Sequence, residues 1–182
     1  MNYLVIRLLL LALVFGFSAA ALQADPAKWE KDIAAFEQKD RENPPAPGGV
    51  LFAGSSTVRR WDLEKSFPGK HYVNRGFGES QIEDSLIYAD RFIVPQAPAV
   101  LVFYAGGNDL NAGKTPEQVF GDFKQLQARL HAKLPRLRIL YLSTNPSIKR
   151  REQMEQQKRL NAMVKEFCAR NPLLTYVHTF DA

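Results

Sequence analysis

Cysteine is almost missing from this chain. The single one, Cys168, has no partner for an internal disulfide, so the core alone must hold the fold together. It sits on the apolar side of an expected helix and reads as a core residue. Histidine is scarce too, with only His71, His131 and His178. These and the carboxylates do not recur at ligand spacing, so neither a metal nor any other cofactor is expected. No phosphate-cradling glycine loop of the usual kinds is present, because Gly76-x-Gly78 alone is weak. Lys and Arg outnumber Asp and Glu by 24 to 19, a formal charge of +5. They form no patch with interleaved aromatics, which argues against a nucleic-acid partner and for a solvated basic surface. Repeats and low-complexity tracts are absent. What remains is ordinary for one domain with one core: 182 residues, 46% hydrophobic and 24% charged.

The first stretch, Met1 to Ala24, differs from the rest. Arg7 is its only charge, Leu8 to Phe17 is apolar, and Ser18-Ala19-Ala20-Ala21 supplies small residues. This is the pattern of a secretory signal peptide, with Ala19 and Ala21 meeting the small-x-small cleavage rule. Its apolar core is shorter than the roughly 20 residues of a membrane span. Export to the periplasm or medium is therefore expected, with no stable span after cleavage; the rival is an uncleaved N-terminal anchor.

Residues 25–49 read as an N-terminal helix and a linker. Asp25-Pro26 is a fair helix start, and Trp29, Ile33 and Phe36 recur at helical spacing. Asn43-Pro44-Pro45-Ala46-Pro47-Gly48-Gly49 then breaks regular structure.

Residues 50–182 alternate strand and helix. The expected strands are Val50 to Ala53, His71 to Asn74, Pro98 to Tyr104, Leu137 to Leu142 and Leu173 to Val177. Between them, Ile82, Leu86 and Ala89 mark a helix. Thr115-Pro116-Glu117-Gln118 opens another with a capping box, followed by Val119, Phe123, Leu126 and Leu130 on one face. Leu160, Met163, Val164 and Phe167 line the next. Such alternation gives an α/β fold, a doubly wound, five-stranded, mostly parallel sheet in three α/β/α layers.

Three strand ends carry small or polar groups: Ser55-Ser56, Gly76 to Ser80, and Gly106 to Asp109. Alone, a serine at such a turn is usually a helix cap, and Gly-x-Asn-Asp is usually a turn. Together, Gly54-Ser55-Ser56, Asn74-Arg75-Gly76-Phe77-Gly78 and Gly106-Gly107-Asn108-Asp109 outline one site on the carboxyl edge of the sheet. In order and spacing these blocks resemble the SGNH (GDSL-like) hydrolase family. The resemblance covers most of the chain after the linker. It implies a flavodoxin-like sheet and an esterase or acylhydrolase acting on small-molecule, lipid or sugar esters, which the expected leader would export. Ser56 matches the family's nucleophile, with Ser55 in place of the usual aspartate. The oxyanion donors would be the Ser56 N–H, the backbone at Gly78 or Glu79, and the Asn108 side chain.

Two departures from the family pattern stand out. Glu79 occupies the position of the family's oxyanion glycine, and a carboxylate there is unfavourable unless it points away or is protonated. The family's Asp-x-x-His block, which supplies the general base, is not matched before Ala182. His178 beside Asp181 has the order reversed. The expectation is an impaired hydrolase with the fold intact; the alternatives are a non-catalytic exported binding module and an inactive fragment.

Overall fold

The computed structural model describes residues 27–145 and 148–179. The stretch expected to be a leader, Met1 to Ala24, and Asp181 therefore lie outside the described residues. Five strands are present: β1 (Val50–Gly54), β2 (Val73–Gly76), β3 (Val100–Tyr104), β4 (Arg138–Leu142) and β5 (Leu174–Val177). They form one sheet in the order β2-β1-β3-β4-β5, and all four pairings are parallel. The chain runs outward from β1 in both directions. The strand order thus reverses beside β1, and open α/β sheets bind ligands in the crevice at such a point.

Among the described residues, seven α-helices accompany the strands: α1 (Glu30–Glu42), α2 (Ser56–Arg59), α3 (Leu63–Ser66), α4 (Ile82–Phe92), α5 (Gly107–Asn111), α6 (Pro116–Lys133) and α7 (Met154–Ala169). Alternation along the strands assigns each side chain to a face. Leu51, Ala53, Leu101, Phe103, Ile139 and Tyr141 pack under α1, α4, α6 and α7 in the larger core. Phe123 meets Tyr141 edge-on at 4.7 Å, and Trp29 meets Phe77 at 5.6 Å. Phe52, Val102 and Leu142 face the other way into a smaller cluster. There Val58, Trp61, Leu63 and Phe67 supply the cover. The two layers are unequal, since the second is built on two helices of four residues each.

The capping box of α6 forms as its sequence requires. Thr115 Oγ1 accepts from the Gln118 N–H at 3.3 Å, and Gln118 Oε1 accepts from the Thr115 N–H at 2.8 Å. Cys168 is buried in α7, and burial pushes its thiol up to about 11. A buried, protonated thiol of this kind is inert.

Strand β2 differs from its expected range of His71 to Asn74. His71 takes a left-handed φ of 49°, which an extended strand does not allow, and pairing with β1 starts at Leu51↔Val73. The strand instead runs on through Arg75 and Gly76. Arg75 tolerates burial because Asp40 of α1 forms an ion pair with it.

Candidate active site

The turn from β1 into α2 is held from both flanking strands. Gly54 has φ +130°, and a Cβ on it would overlap the Tyr104 carbonyl oxygen of β3. Ser55 N–H then donates to that oxygen at 2.9 Å. On the other side, a Cβ on Gly76 would run into the backbone of Val58 and Arg59. Glycine at both positions lets α2 begin flush against the sheet edge. Asn74 of β2 fastens the end of α2, its Nδ2 donating to Val58 O at 2.7 Å and Trp61 O at 3.1 Å. Its Oδ1 accepts from the Gly76 N–H at 2.9 Å.

Ser55 caps α2 with an extended backbone and is buried; Ser56 opens the helix and is half-buried. Ser56, Arg59, Arg60, Gly78, Glu79 and Trp29 line one open cleft of about 400 Å³. The N–H groups of Ser56, Gly78 and Glu79 find no acceptor among the described residues. Three unengaged donors thus belong to the residues around a half-exposed hydroxyl, and that arrangement suits a developing oxyanion.

Glu79 holds φ +57°, a left-handed conformation that glycine adopts without cost and glutamate does not. Its side chain is exposed. Asn108 sits on α5 at the end of β3, and its Nδ2 donates to Ser80 O at 3.0 Å. Asn108 is not among the residues lining the Ser56 cleft. It joins the site through the Gly76-to-Ser80 loop rather than across it.

Two residues carry more than the sequence suggested. Ser80 is fully buried, and its hydroxyl donates to Phe77 O at 3.0 Å, bracing the loop that bears Gly78 and Glu79. Asp109 is also fully buried. Its Oδ1 accepts from the Ile82 N–H at 3.0 Å, tying the start of α4 to the end of β3, while Oδ2 has no partner. Burial pushes its carboxyl up to about 7, against the lowering effects of the Ile82 N–H and of Lys114. The Gly-Gly-Asn-Asp block flagged the position, but not that its one acid would be enclosed.

The histidines are dispersed. His71 lies before β2, at the opposite edge of the sheet. His131, on α6, has Nδ1 at 2.5 Å from Gln127 Nε2 and Nε2 at 2.9 Å from Leu137 O. His178 follows β5 and is exposed. Strand β5 is three strands from β1, roughly 14 Å at the usual spacing.

A parallel sheet with its strand order reversing at β1, and a half-buried serine on the turn at that point, define a doubly wound α/β protein whose crevice opens at that turn. The profile of the GDSL-like Lipase/Acylhydrolase family matches residues 48–182, and the chain belongs to that family. Solved structures agree on the fold. A Streptococcus pneumoniae protein provisionally described as a platelet activating factor is 21% identical, with a TM-score of 0.75 over 85% of this chain and 76% of its own. A GDSL-like lipase from Bacteroides thetaiotaomicron is 19% identical, with a TM-score of 0.70 over 85% and 78%. The C-terminal catalytic domain of a Streptococcus pneumoniae peptidoglycan O-acetyltransferase is 17% identical, with a TM-score of 0.56 over 73% and 70%. No curated protein matches the chain.

Proposed function

We propose that the protein is an exported hydrolase of carboxylic esters in which Ser56 attacks the acyl carbon. One observation carries this reading: Ser56 and the unengaged Gly78 and Glu79 N–H donors share a single cleft. The Ser56 hydroxyl adds to the carbonyl and the tetrahedral oxyanion is held by those N–H groups and that of Ser56. Asn108 completes the donor set when its amide turns from Ser80 O toward the substrate. Expulsion of the alcohol leaves an acyl-serine that water hydrolyses. Membership of an acylhydrolase family supports the ester class, and small-acyl, lipid and sugar esters all fit an open cleft of this size.

The base that deprotonates Ser56 is not among His71, His131 and His178 as they stand, because a general base must lie within hydrogen-bond reach. We propose that an Asp-x-x-His segment following β5 supplies it, and that residues 1–182 alone turn over slowly. A fluorophosphonate probe and a short-chain nitrophenyl ester test both parts. Weak labelling and hydrolysis are expected from the 182-residue chain. Both rise when the segment is appended, and both are lost in Ser56→Ala. Hydrolysis that survives Ser56→Ala refutes the nucleophile. Strong Ser56-dependent labelling of the 182-residue chain refutes the missing base. The non-catalytic alternative is supported instead if the extended chain binds an ester unaltered by Ser56→Ala and Asn108→Ala and never hydrolyses it. Export is tested by the N-terminal sequence of the mature protein, expected to begin between residues 20 and 25.

A further inference from the structure

The cleft at Ser56 carries two cations that the hydrolytic step does not use. Arg59 and Arg60 follow Ser56 by three and four residues, the spacings that share one face of a helix. Both arginines line the same cleft as Ser56. Arg59 is held there: its Nη1 covers Gly78 so closely that a Cβ on that glycine would come to 2.7 Å. Neither arginine has a carboxylate partner among the described residues. Arg75, Arg91, Arg129, Arg159 and Arg170 are each paired with an acid, while Arg41, Arg136, Arg138 and Arg151 also lack a salt bridge among the described residues but line no cleft with Ser56. The cleft's one carboxylate, Glu79, leaves the lining with a net positive charge. Lys28 adds another cation at the rim, its Nζ 4.6 Å from the centre of the Trp29 ring.

We propose that Arg59 and Arg60 are specificity-determining residues, and that the preferred ester carries an anionic group, a carboxylate or a phosphate, near the scissile bond. Two unpaired guanidinium groups beside a nucleophile form a ready site for such a group, since charge-assisted pairs with carboxylate or phosphate are the stronger hydrogen bonds. Side chains at these spacings stand about 5–6 Å apart at Cβ, so the anion lies a few bonds from the reacting carbonyl. The inference rests on the Ser56 hydrolase reading for its chemistry but not for its binding.

The test compares anionic and neutral partners of one shape. For the carboxylate arm these are 4-nitrophenyl hydrogen adipate and its methyl ester. For the phosphate arm they are 3-acetoxypropyl phosphate and its dimethyl phosphate triester. In the extended chain, kcat/KM for the anionic ester of at least one arm is expected to exceed the neutral one by about tenfold, equivalent to about 1.4 kcal/mol. The ratio falls toward unity in Arg59→Gln/Arg60→Gln, and it shrinks in the unsubstituted protein as salt rises from about 50 to about 500 mM. Which arm keeps the preference identifies the anion. Equal rates in both arms, or a preference that survives the double substitution, overturns the proposal while leaving the hydrolase reading intact. If no ester turns over, dissociation constants for the same pairs are measured on the Ser56→Ala chain. Tighter binding of the anionic member then upholds the arginine site although the hydrolase reading has failed, and equal binding overturns both.

Discussion

Asp109 offers the sharpest test of the packing at the site's edge. Its carboxyl is enclosed, with one oxygen on the Ile82 N–H and the other unpartnered. Burial raises its pKa from 3.8 to about 7. The sign of the consequence follows directly. Between these two values the folded chain keeps a proton that the unfolded chain has released. The contribution of Asp109 to stability is therefore greatest below about pH 4 and declines as pH climbs to about 7, after which it is flat. Each pH unit in that window costs about 1.4 kcal/mol at most, so the ceiling is about 4 kcal/mol. Asp109→Asn keeps the Oδ1 acceptor for Ile82 and cannot ionise. The variant should match the parent near pH 4 and exceed it by about 3 kcal/mol near pH 8, somewhat below the ceiling because a buried charge recruits water and Lys114 relaxes toward it. Urea unfolding across that range measures both chains. The difference between the two curves isolates this group, since other titrating carboxyls cancel. Parallel curves would refute the argument, showing that the enclosed carboxyl does not titrate differently on folding.

Three further outcomes follow from the elbow and its loop. Gly54→Ala places a Cβ on the Tyr104 carbonyl at a φ of +130°, so we expect a loss above about 3 kcal/mol, seen as a collapsed melting transition or an insoluble chain. Asn74→Ala removes both anchors of α2 and should cost about 2–3 kcal/mol in urea unfolding; in the extended chain, fluorophosphonate labelling of Ser56 should fall further than that loss of folded protein explains. Glu79→Gly relieves a left-handed φ of +57° and should raise stability by up to about 1 kcal/mol, a rise of a few degrees in Tm by calorimetry; an unchanged or lower Tm would show that the glutamate is held by contacts that offset its strain.

Much of this arrangement is readable from residue patterns. The run Val100-Leu101-Val102-Phe103-Tyr104 is apolar on both faces, as a strand between two layers must be, and it lies at the centre of the sheet. The Thr115 capping box fixes where α6 begins. Strand β2 was harder because its decisive partner is remote. Arg75-Gly76 looks like a loop until Asp40, 35 residues earlier, neutralises the arginine. Asn74 illustrates the same limit. Its place in the glycine block is visible in sequence, but its grip on the backbone of α2 depends on two segments meeting in space. Asp109 is plainer still: an acid after Gly-Gly-Asn is ordinarily a solvated turn residue, and only the packing of α4 over β3 encloses it. The exposed arginines after Ser56 read as the polar side of an amphipathic segment, which they are, and nothing local shows that the cleft opens on that side.

The sheet order also separates two problems that catalysis must solve together. Ser56, the proposed nucleophile, is positioned by the β2-β1-β3 half: Gly54 paired with Gly76 on one side and with Tyr104 on the other, with Asn74 closing the helix. Because that register is fixed by backbone pairing, Ser56 cannot shift along the rim without breaking ladder hydrogen bonds on both flanks. A base arriving from the β5 end has the opposite situation. In the reading proposed above it must reach past the ends of β4 and β3, roughly 14 Å at the usual strand spacing. Lesions in the elbow should therefore abolish the reaction even when a competent histidine is supplied. Lesions in the histidine segment should leave Ser56 and its oxyanion donors in place, still able to bind an ester that they no longer cleave. Equal ester dissociation constants for the extended chain with and without its appended histidine replaced by alanine are the expected result; loss of binding on that replacement would contradict this independence.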